Sequence, residues 1–417
     1  MPEKKIGLKN AGIINPESIG DYIAAGGYDG FKKALHMTSA DVIAEIEKSG
    51  LRGRGGAGFP TGMKWKTAFN STSYPKYVIC NADEGEPGTF KDRIILEQDP
   101  HSCLEGVMLA SYAISAHKAF IYVRGEYFLP EKMMRKAIAD ARDAGLLGDN
   151  ILGSGYSLDV QIKLGAGSYL CGEEFCLVES LEGKRGYPRI KPPFPAEKGV
   201  FFQPTIVNNV ETLSHIPHII REGADWYRTM GTEKSPGTKI FTLCGDVNKP
   251  GAYEAEMGVP LKELIYTFAG GIANGKTIKT ALVGGASGTF VPPSELDMQM
   301  DYDSLKSKGF TLGSGAVIVL GEGRSLPEFL FGILGFFQHE SCGKCVPCRA
   351  GTTSLRNAME DILAHPRRKI KNEKSLSEME WLSTLMLKTS LCPLGQSPYF
   401  PITSAVKYFK NDFLGKE

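Results

Sequence analysis

The stretch Leu51-Arg52-Gly53-Arg54-Gly55-Gly56-Ala57-Gly58-Phe59-Pro60-Thr61-Gly62-Met63-Lys64-Trp65 is the segment around which the rest of the chain is organised. Five glycines fall between positions 53 and 62, with two arginines and a lysine beside them. Glycine lets a backbone approach a ligand closely, and successive N–H groups in such a loop form a concave anion site. We therefore predict that this glycine loop binds a phosphate-bearing ligand. A mobile surface loop is the alternative.

The glycine loop matches neither common phosphate-binding motif. Thr61-Gly62-Met63-Lys64 lacks the Gly-Lys-Ser/Thr order of a P-loop. Gly53-x-Gly55-x-x-Gly58 has the Rossmann spacing, but that motif requires a preceding strand. Residues 40–49 instead predict a helix with Ser39 as its N-cap.

Composition narrows the class of protein. The 417 residues allow two or three domains, and 42% hydrophobic with 23% charged residues is typical of a globular protein. The formal net charge of +1 gives no overall attraction to nucleic acid. We see neither an apolar run long enough to span a bilayer nor a signal peptide, so we expect a cytoplasmic protein that reaches a membrane only through partner subunits.

The first half of the chain alternates between strand and helix patterns. Strands are predicted at 77–80, 119–123 and 160–164, and helices at 63–69 and 130–144. This order predicts an α/β domain with a mostly parallel sheet. Ligands in such sheets bind beyond the carboxyl ends of the strands, where the polar loops 81–89 and 165–174 follow. Residues 183–204, rich in Pro, Gly and cations, predict an extended loop.

The second half predicts two further domains. Strands at 240–243, 280–283 and 316–320 with one helix at 261–268 indicate a small α+β module. Helical spacing at 328–338, 351–364 and 377–388 indicates a helical domain. We place the three domains at 1–235, 236–324 and 325–417.

Four of the nine cysteines predict an iron–sulfur site. Cys342, Cys345 and Cys348 form a C-x2-C-x2-C run, and Cys392 is followed by Pro393. This arrangement is typical of a [4Fe–4S] cluster. Structural zinc more often uses two separated cysteine pairs, and it remains the alternative. The other five cysteines lack ligand spacing, so we expect small buried residues.

The polar loops predict ligand binding by carboxylates. Asp83, Glu84, Glu86 and Glu174 would form a rim that accepts hydrogen bonds from sugar hydroxyls and repels an additional phosphate. No His or Cys base stands at a motif position, so electron transfer is favoured over hydrolysis.

Six segments, taken together and in order, resemble the NADH-oxidising flavoprotein subunit of the complex I family. They are residues 53–65, 81–93, 165–174, 204–212, 342–349 and 391–395. The same subunit type occurs in soluble NAD-linked [FeFe]-hydrogenases and formate dehydrogenases. The resemblance implies FMN, NAD(H) and one [4Fe–4S] cluster. It also implies a Rossmann-like FMN-binding domain, a ubiquitin-like α+β (SLBB) module and a C-terminal helical bundle that carries the cluster.

The resemblance also implies roles for individual residues. The glycine loop and its lysine lie beside the FMN phosphate and NADH: Gly53, Arg54, Gly55, Gly56 and Lys64. Residues that bind the flavin and its ribityl chain are Asn81, Asp83, Glu84, Tyr169, Gly172, Glu173, Asn208, Asn209 and Thr212. Those that contact NADH are Glu86 at the nicotinamide, Glu174 at the ribose, and Phe59 and Phe194 at the adenine. Glu86 and Lys64 are the implied catalytic residues, and Cys342, Cys345, Cys348 and Cys392 are the implied cluster ligands.

The sequence departs from the family pattern at several positions. Thr67 replaces a second adenine-stacking phenylalanine, Phe175-Cys176 replaces a usual Thr-Ala pair, and Gly85 stands where Ser is common. The motif from Cys392 to Gln396 looks more like the soluble hydrogenase relatives. We therefore expect a subunit of a soluble NAD(H)-dependent [FeFe]-hydrogenase-type complex, with electron bifurcation left open. Complex I and formate dehydrogenase are the alternatives, as is a non-catalytic scaffold.

The resemblance implies two kinds of partner. One is a small thioredoxin-like [2Fe–2S] subunit, and the other is a larger iron–sulfur or hydrogenase-type catalytic subunit.

Overall fold

The computed structural model describes residues 3–414, and its first sheet consists of four parallel strands. They are β1 (Tyr77–Ala82), β2 (Lys118–Val123), β3 (Asp159–Leu164) and β4 (Thr205–Asn209). Their order is β3-β2-β1-β4. The central strands β1 and β2 are almost wholly buried, as expected for a parallel sheet covered by helices on both faces. The predicted α/β sheet is confirmed, and β4 is an addition to it.

Eleven α-helices accompany this sheet in the described residues. They are α1 (Ile19–Ala24), α2 (Asp29–Ala34), α3 (Ser39–Ser49), α4 (Thr61–Asn70), α5 (Lys91–Gln98), α6 (Pro100–Ile114), α7 (Phe128–Asp143), α8 (Glu174–Leu181), α9 (Pro195–Lys198), α10 (Val210–Glu222) and α11 (Ala224–Arg228).

Two expectations about these helices were wrong in detail. The N-cap of α3 is Thr38, because its hydroxyl accepts from Asp41 N while the Asp41 carboxylate bonds back to Thr38 in a capping box. Ser39 is the first helical residue instead. The segment 183–204 is not wholly extended, since it contains α9 and a short turn of helix at Val200–Phe202.

The second sheet has five strands in the order β6-β5-β9-β7-β8. They are β5 (Thr238–Gly245), β6 (Gly251–Glu256), β7 (Ile278–Val283), β8 (Thr289–Val291) and β9 (Ala316–Gly321). Only the β5–β9 pair is parallel. The sequence pattern did not predict β6 and β8, because both are edge strands without a long apolar run.

Two short helices accompany the second sheet. They are α12 (Leu261–Glu263), which continues as a wider helical turn over Leu264–Phe268, and α13 (Tyr302–Ser307). The strands and these helices enclose their own hydrophobic core, which includes Phe241, Leu264 and Val317.

The C-terminal region is helical, as predicted. Its helices are α14 (Leu326–Glu340), α15 (Val346–Ala364), α16 (Lys369–Thr389), α17 (Pro393–Gln396) and α18 (Tyr399–Phe413). The last two were not predicted. Helix α18 joins the bundle to the second sheet, where the Ser404 hydroxyl accepts from Phe290 N at 2.9 Å.

The predicted domain boundaries after residues 235 and 324 stay predictions. The outer ends of the first and last predicted domains, residues 1–2 and 415–417, lie outside the described part of the chain. Between residues 3 and 414, no helix combines the length and apolar character needed to cross a membrane.

Candidate functional site

The loops after β1 and β3 meet at the carboxyl edge of the first sheet, as the topology predicted. The side-chain amide of Asn81 donates to Gly172 O at 2.8 Å, and Asp83 N donates back to Asn81 Oδ1 at 3.1 Å. A Cβ at Gly172 would lie 3.2 Å from Asp83 O, so the close approach of the two loops requires little side-chain volume there.

The glycine loop is folded into a tight turn beside this edge. Gly53 N donates to Phe59 O at 2.8 Å. A Cβ at Gly55 would lie 3.0 Å from Asn209 Cβ, which makes glycine favourable where the loop passes β4. Within residues 3–414, no group accepts a hydrogen bond from the N–H of Gly55, Gly56 or Ala57. These free donors fit a phosphate group.

The charge of Arg54 is not directed toward the free N–H groups of the glycine loop. Its side chain is fully buried, and the guanidinium donates to Thr238 O, Pro236 O and the Tyr227 hydroxyl at 3.0, 2.8 and 3.1 Å. Its backbone N donates to Thr212 Oγ1 at 2.8 Å. The Arg54 side chain therefore joins the glycine loop to β5.

The end of β4 contributes amide groups from two asparagines. Asn208 Oδ1 accepts from the Trp65 indole at 2.8 Å. Asn209 caps α10 and donates to Asp92 Oδ2 at 2.6 Å. Lys64 lies beside these residues, where its Nζ donates to Val207 O at 2.9 Å. Burial lowers the pKa of Lys64, while Glu174 acts in the opposite direction.

A buried charge cluster lies beneath these residues. Lys91 Nζ is 2.7 Å from Asp92 and 2.9 Å from Glu211, and Lys239 Nζ is 3.2 Å from Glu211. Burial alone would raise the pKa of Glu211, but Lys239 and Lys91 outweigh it and lower that pKa to about 2. Since Lys239 also donates to Arg54 O at 3.0 Å, the cluster supports the glycine loop from below.

The predicted acidic rim is only partly formed. Glu84 is buried and caps α5, because its carboxylate accepts from Asp92 N, Arg93 N and the Tyr127 hydroxyl at 2.9, 3.1 and 2.9 Å. Asp83 is different. Its Oδ2 is buried without a hydrogen-bond partner among the described residues, and burial raises its pKa to about 7. Such an orphaned oxygen fits a hydroxyl-bearing ligand.

Glu86 is also turned inward, toward the second sheet. Its Oε2 accepts from the Tyr169 hydroxyl at 2.5 Å, and its Oε1 accepts from Ser287 N at 2.7 Å. The expected open rim is therefore absent at Glu86, and Ser287 is a contact that no sequence motif indicated.

Lys191 neutralises the remaining acids. Its Nζ lies 2.7 Å from Glu173 and 2.6 Å from Glu174. Glu173 also caps α8, where it accepts from Phe175 N and Cys176 N, each at 3.0 Å. No motif predicted a role for Lys191, although the 183–204 segment is rich in cations.

The two predicted adenine-stacking aromatics are accessible. Phe59 is 50% exposed and Phe194 is 52% exposed, so neither is an ordinary core residue. Thr67 is exposed as well, and its hydroxyl donates to Met63 O in the same helix.

A cavity of about 650 Å³ lies next to the acidic loop. It is lined by residues 84–89, by Arg93 and Glu97 on α5, by Arg124 and by residues 126–130 around the start of α7. Of the predicted cofactor residues, only Glu84 and Glu86 border it. The free N–H groups of the glycine loop and the unpartnered oxygen of Asp83 therefore fit the predicted cofactor better than the lining of this cavity does.

The four predicted cluster ligands belong to one apolar cluster of the helical region. Cys348 and Cys392 are 4% and 5% exposed, and Cys342 and Cys345 are half-buried. A Cβ at Gly395 would lie 2.8 Å from Cys348 Cβ, so the loop around Cys392 approaches α15 very closely. Across residues 3–414, no three His, Cys, Asp or Glu side chains converge on a single-ion site.

The charges near these cysteines are held by backbone oxygens. Lys344 donates to Pro188 O at 2.8 Å, and Arg349 donates to Gly343 O. Of the other cysteines, Cys244 is partly exposed, which the expectation of buried residues did not include. The remaining four are buried as expected: Cys80, Cys103, Cys171 and Cys176.

Tyr169 connects the sheet edge to the cysteine region. Its backbone N donates to Glu340 Oε2 at 3.0 Å, and its ring lies 4.9 Å from that of Phe336. Glu340 is the last residue of α14, two positions before Cys342. The two candidate sites are therefore joined by direct contacts.

Three family models match this chain in the same order as its structural regions. The Nuo51 FMN-binding domain matches residues 46–218, the SLBB domain matches 240–290, and the iron-sulfur binding region of NADH-ubiquinone oxidoreductase-F matches 328–416. The F 2 subunit of the NADH-quinone oxidoreductase of Rhizobium meliloti is 45% identical over 98% of this chain and 96% of that protein. This chain belongs to the family of F-type subunits of NADH-quinone oxidoreductases.

Members of this F-type family also occur in hydrogenases. The HndC subunit of the NADP-reducing hydrogenase of Solidesulfovibrio fructosivorans is 46% identical over 98% of this chain and 82% of that protein. The crystal structure of an NAD+-reducing [NiFe]-hydrogenase in the H2-reduced state matches with a TM-score of 0.85 and 34% identity. That match covers 99% of this chain and 66% of the hydrogenase chain, so this chain spans about two-thirds of its length.

Membership in the F-type family confirms the predicted fold class, cofactors and type of enzyme. The chain is an oxidoreductase subunit with an FMN-binding domain, an SLBB module and a [4Fe–4S]-binding helical region. The zinc alternative for the four cysteines is not supported, because the model that matches this region is an iron–sulfur one.

Proposed function

We propose that this chain is the NADH-oxidising subunit of a soluble hydrogenase-type electron-transfer complex. The contact chain from Glu86 through Tyr169 to Glu340 carries this proposal, because it joins the predicted nucleotide site to the segment that holds Cys342. An enzyme that takes hydride from a nucleotide and delivers electrons to a cluster needs these two sites side by side.

The residues of the cleft fit FMN. The free N–H groups of Gly55, Gly56 and Ala57 would hold the phosphate, and the unpartnered oxygen of Asp83 would accept from a ribityl hydroxyl. The side-chain amides of Asn81 and Asn208 would also face the FMN. When bound, FMN supplies the conversion of a two-electron hydride transfer from NADH into one-electron transfers.

The surrounding side chains would orient NADH. Phe59 and Phe194 would contact the adenine with their exposed rings, and Glu174 would accept from a ribose hydroxyl. Glu86, held between Tyr169 and Ser287, would accept from the nicotinamide carboxamide. Lys64 would place a half-buried cation near the flavin.

The four cysteines fit a [4Fe–4S] cluster. Three iron atoms of the cluster would be bound by the closely spaced Cys342, Cys345 and Cys348. The fourth iron would be bound by Cys392, which directly precedes α17. The backbone N–H groups of Leu394 and Gly395 stabilise the thiolate form of Cys392, although burial outweighs them and raises its pKa to about 12. The cluster would supply one-electron transfer to a partner.

The type of complex is the finer part of the proposal. The similarity to hydrogenase subunits supports a soluble hydrogenase-type complex, whereas the similarity to quinone oxidoreductase subunits supports a complex I subunit. A formate dehydrogenase subunit is a further alternative. The proposed partners are a thioredoxin-like [2Fe–2S] subunit and a larger iron–sulfur or hydrogenase-type subunit.

Anaerobic purification of the assembly from the native cell tests both the proposed activity and the proposed type of complex. The isolated assembly should contain FMN and iron, reduce ferricyanide with NADH, and evolve hydrogen from NADH. Mass spectrometry of the co-purifying subunits should identify a hydrogenase. Recovery with quinone oxidoreductase subunits would move the assignment to complex I, and a preparation without flavin would overturn the proposed activity.

A further inference from the structure

The loop between β7 and β8, residues 284–288, reaches across to the acidic loop of the first sheet. Its sequence is Gly-Gly-Ala-Ser-Gly, and it follows directly after the buried strand β7. Gly285 has φ of +80°, and a Cβ there would lie 2.5 Å from Glu86 Cγ. The loop is therefore shaped to receive the Glu86 side chain.

The hydrogen bonds confirm this close fit. Ser287 N donates to Glu86 Oε1 at 2.7 Å, and Ser287 Oγ lies 3.2 Å from Glu86 Oε2. The Tyr169 hydroxyl lies 2.5 Å from the same Oε2 and 3.1 Å from Ser287 Oγ. Both carboxylate oxygens are thus held, chiefly by donors of the second module.

The same module also positions the rest of the acidic loop. The Thr242 hydroxyl on β5 donates to Gly88 O at 2.7 Å, and the hydroxyls of Thr89 and Ser314 lie 2.6 Å apart. Burial raises the pKa of Glu86, whereas its hydroxyl and backbone donors lower it. Without this module, the half-buried carboxylate of Glu86 would lose most of its hydrogen bonds.

We propose that Ser287 is a positioning residue for NADH oxidation, so that the SLBB module completes the substrate site. Ser287 holds the Glu86 carboxylate in the orientation that receives the nicotinamide carboxamide. This inference rests on the proposed function, since it takes the role of Glu86 from there.

The test compares Ser287→Ala with two matched variants in the intact assembly. Ser287→Ala should raise the KM for NADH about tenfold, the effect expected from one lost hydrogen bond to a charged group, with a smaller change in kcat. Ser287→Thr should restore most of the affinity. Ser307→Ala is the control, because Ser307 is exposed on α13 and bonds only to its own helix.

A double-mutant cycle separates positioning from a general loss of structure. In a Glu86→Gln background, Ser287→Ala should change the KM less than about twofold, because Ser287 acts through that carboxylate. If Ser287→Ala cannot be isolated with bound FMN, Tyr169→Phe removes the other Oε2 donor and should raise the KM similarly.

The outcomes separate the role of Ser287 from the proposed function. An unchanged KM for NADH in Ser287→Ala would overturn only the role of Ser287. The same holds if Ser287→Ala raises the KM equally in the wild-type and Glu86→Gln backgrounds. Wild-type assembly that contains FMN but fails to oxidise NADH would instead overturn the proposed function.

Discussion

The ammonium group of Lys191 lies 2.6 Å from Oε1 of Glu174. The same group is 2.7 Å from Glu173, and these carboxylates raise the pKa of Lys191 although burial opposes them. The acid that was predicted to reject an additional phosphate is thus already paired with a cation. Nucleotide preference at this position depends on the balance of these charges.

Replacing Glu174 should relax the preference for NADH. In Glu174→Gln the repulsive charge is lost and Lys191 becomes available to a 2′-phosphate, so the ratio of kcat/KM for NADPH over NADH should rise at least about tenfold. Steady-state kinetics with both nucleotides provides the measurement. Glu233→Gln, at an exposed position after α11, is the control. An unchanged ratio would remove Glu174 from nucleotide selection.

Arg54→Lys should destabilise the protein and weaken FMN retention. A lysine cannot reproduce the forked contacts to Thr238, Pro236 and Tyr227, so buried acceptors lose their donors at a cost of about 2–4 kcal/mol. Differential scanning fluorimetry and flavin content report the two effects. Arg228→Lys, an exposed exchange of the same kind, should leave both near the wild-type values. Equal stability of the two variants would contradict the role of Arg54 in joining the glycine loop to β5.

Gly395→Ala should impair cluster binding without touching a ligand. The added methyl group would lie 2.8 Å from Cys348 Cβ and 2.6 Å from Ser390 Oγ, which forces the Cys392 loop away from α15. Iron content and the electron paramagnetic resonance signal of the reduced protein should fall at least about twofold, since a displaced ligand loosens the site. Gly332→Ala in α14 has open space around it and should keep full iron. Full iron in Gly395→Ala would show that the loop adjusts easily.

Asp99 should make the protein less stable as pH rises from about 4 to 7. Its carboxyl is buried, Oδ1 lacks a partner within the described chain, and burial raises its pKa to about 7. The folded state holds this proton to a higher pH than the unfolded state does. The stabilisation is therefore fully present below the pKa of the unfolded state, and it is lost as the pH rises from about 4 to 7.

Asp99→Asn removes this titration. Between about pH 5 and 8, the free energy of unfolding of the wild type should fall by roughly 2–3 kcal/mol more than that of the variant. The difference in Tm between these pH values is the measurement, with exposed Asp143→Asn as the control. Parallel losses in all three proteins would show that Asp99 does not titrate in this range.

Much of the fold could be predicted because its signals are local. The apolar segments of β1, β2 and β3 stand out between polar loops, and the spacing of Cys342, Cys345 and Cys348 is readable without any structure. Edge strand β6 and the three-residue strand β8 were missed, since their stability comes from pairing with β5 and β7 rather than from their own sequence.

The site could be predicted less completely. Asn81 and Gly172 were expected at one edge and do meet there. Glu84 and Glu86 were expected on an open rim, yet Glu84 caps α5 and Glu86 docks against the second module. Lys191 lies 18 residues after Glu173, and Ser287 lies 201 residues after Glu86, so no local motif could indicate these contacts.

The sequence by itself determined which chemistry the chain carries, because glycine, carboxylate and cysteine spacing reflects backbone geometry within a few residues. Only the tertiary structure decided where each charge points. Burial makes an unpaired charge costly, so Arg54, Glu86 and Lys191 are oriented by partners that the chain supplies from distant segments.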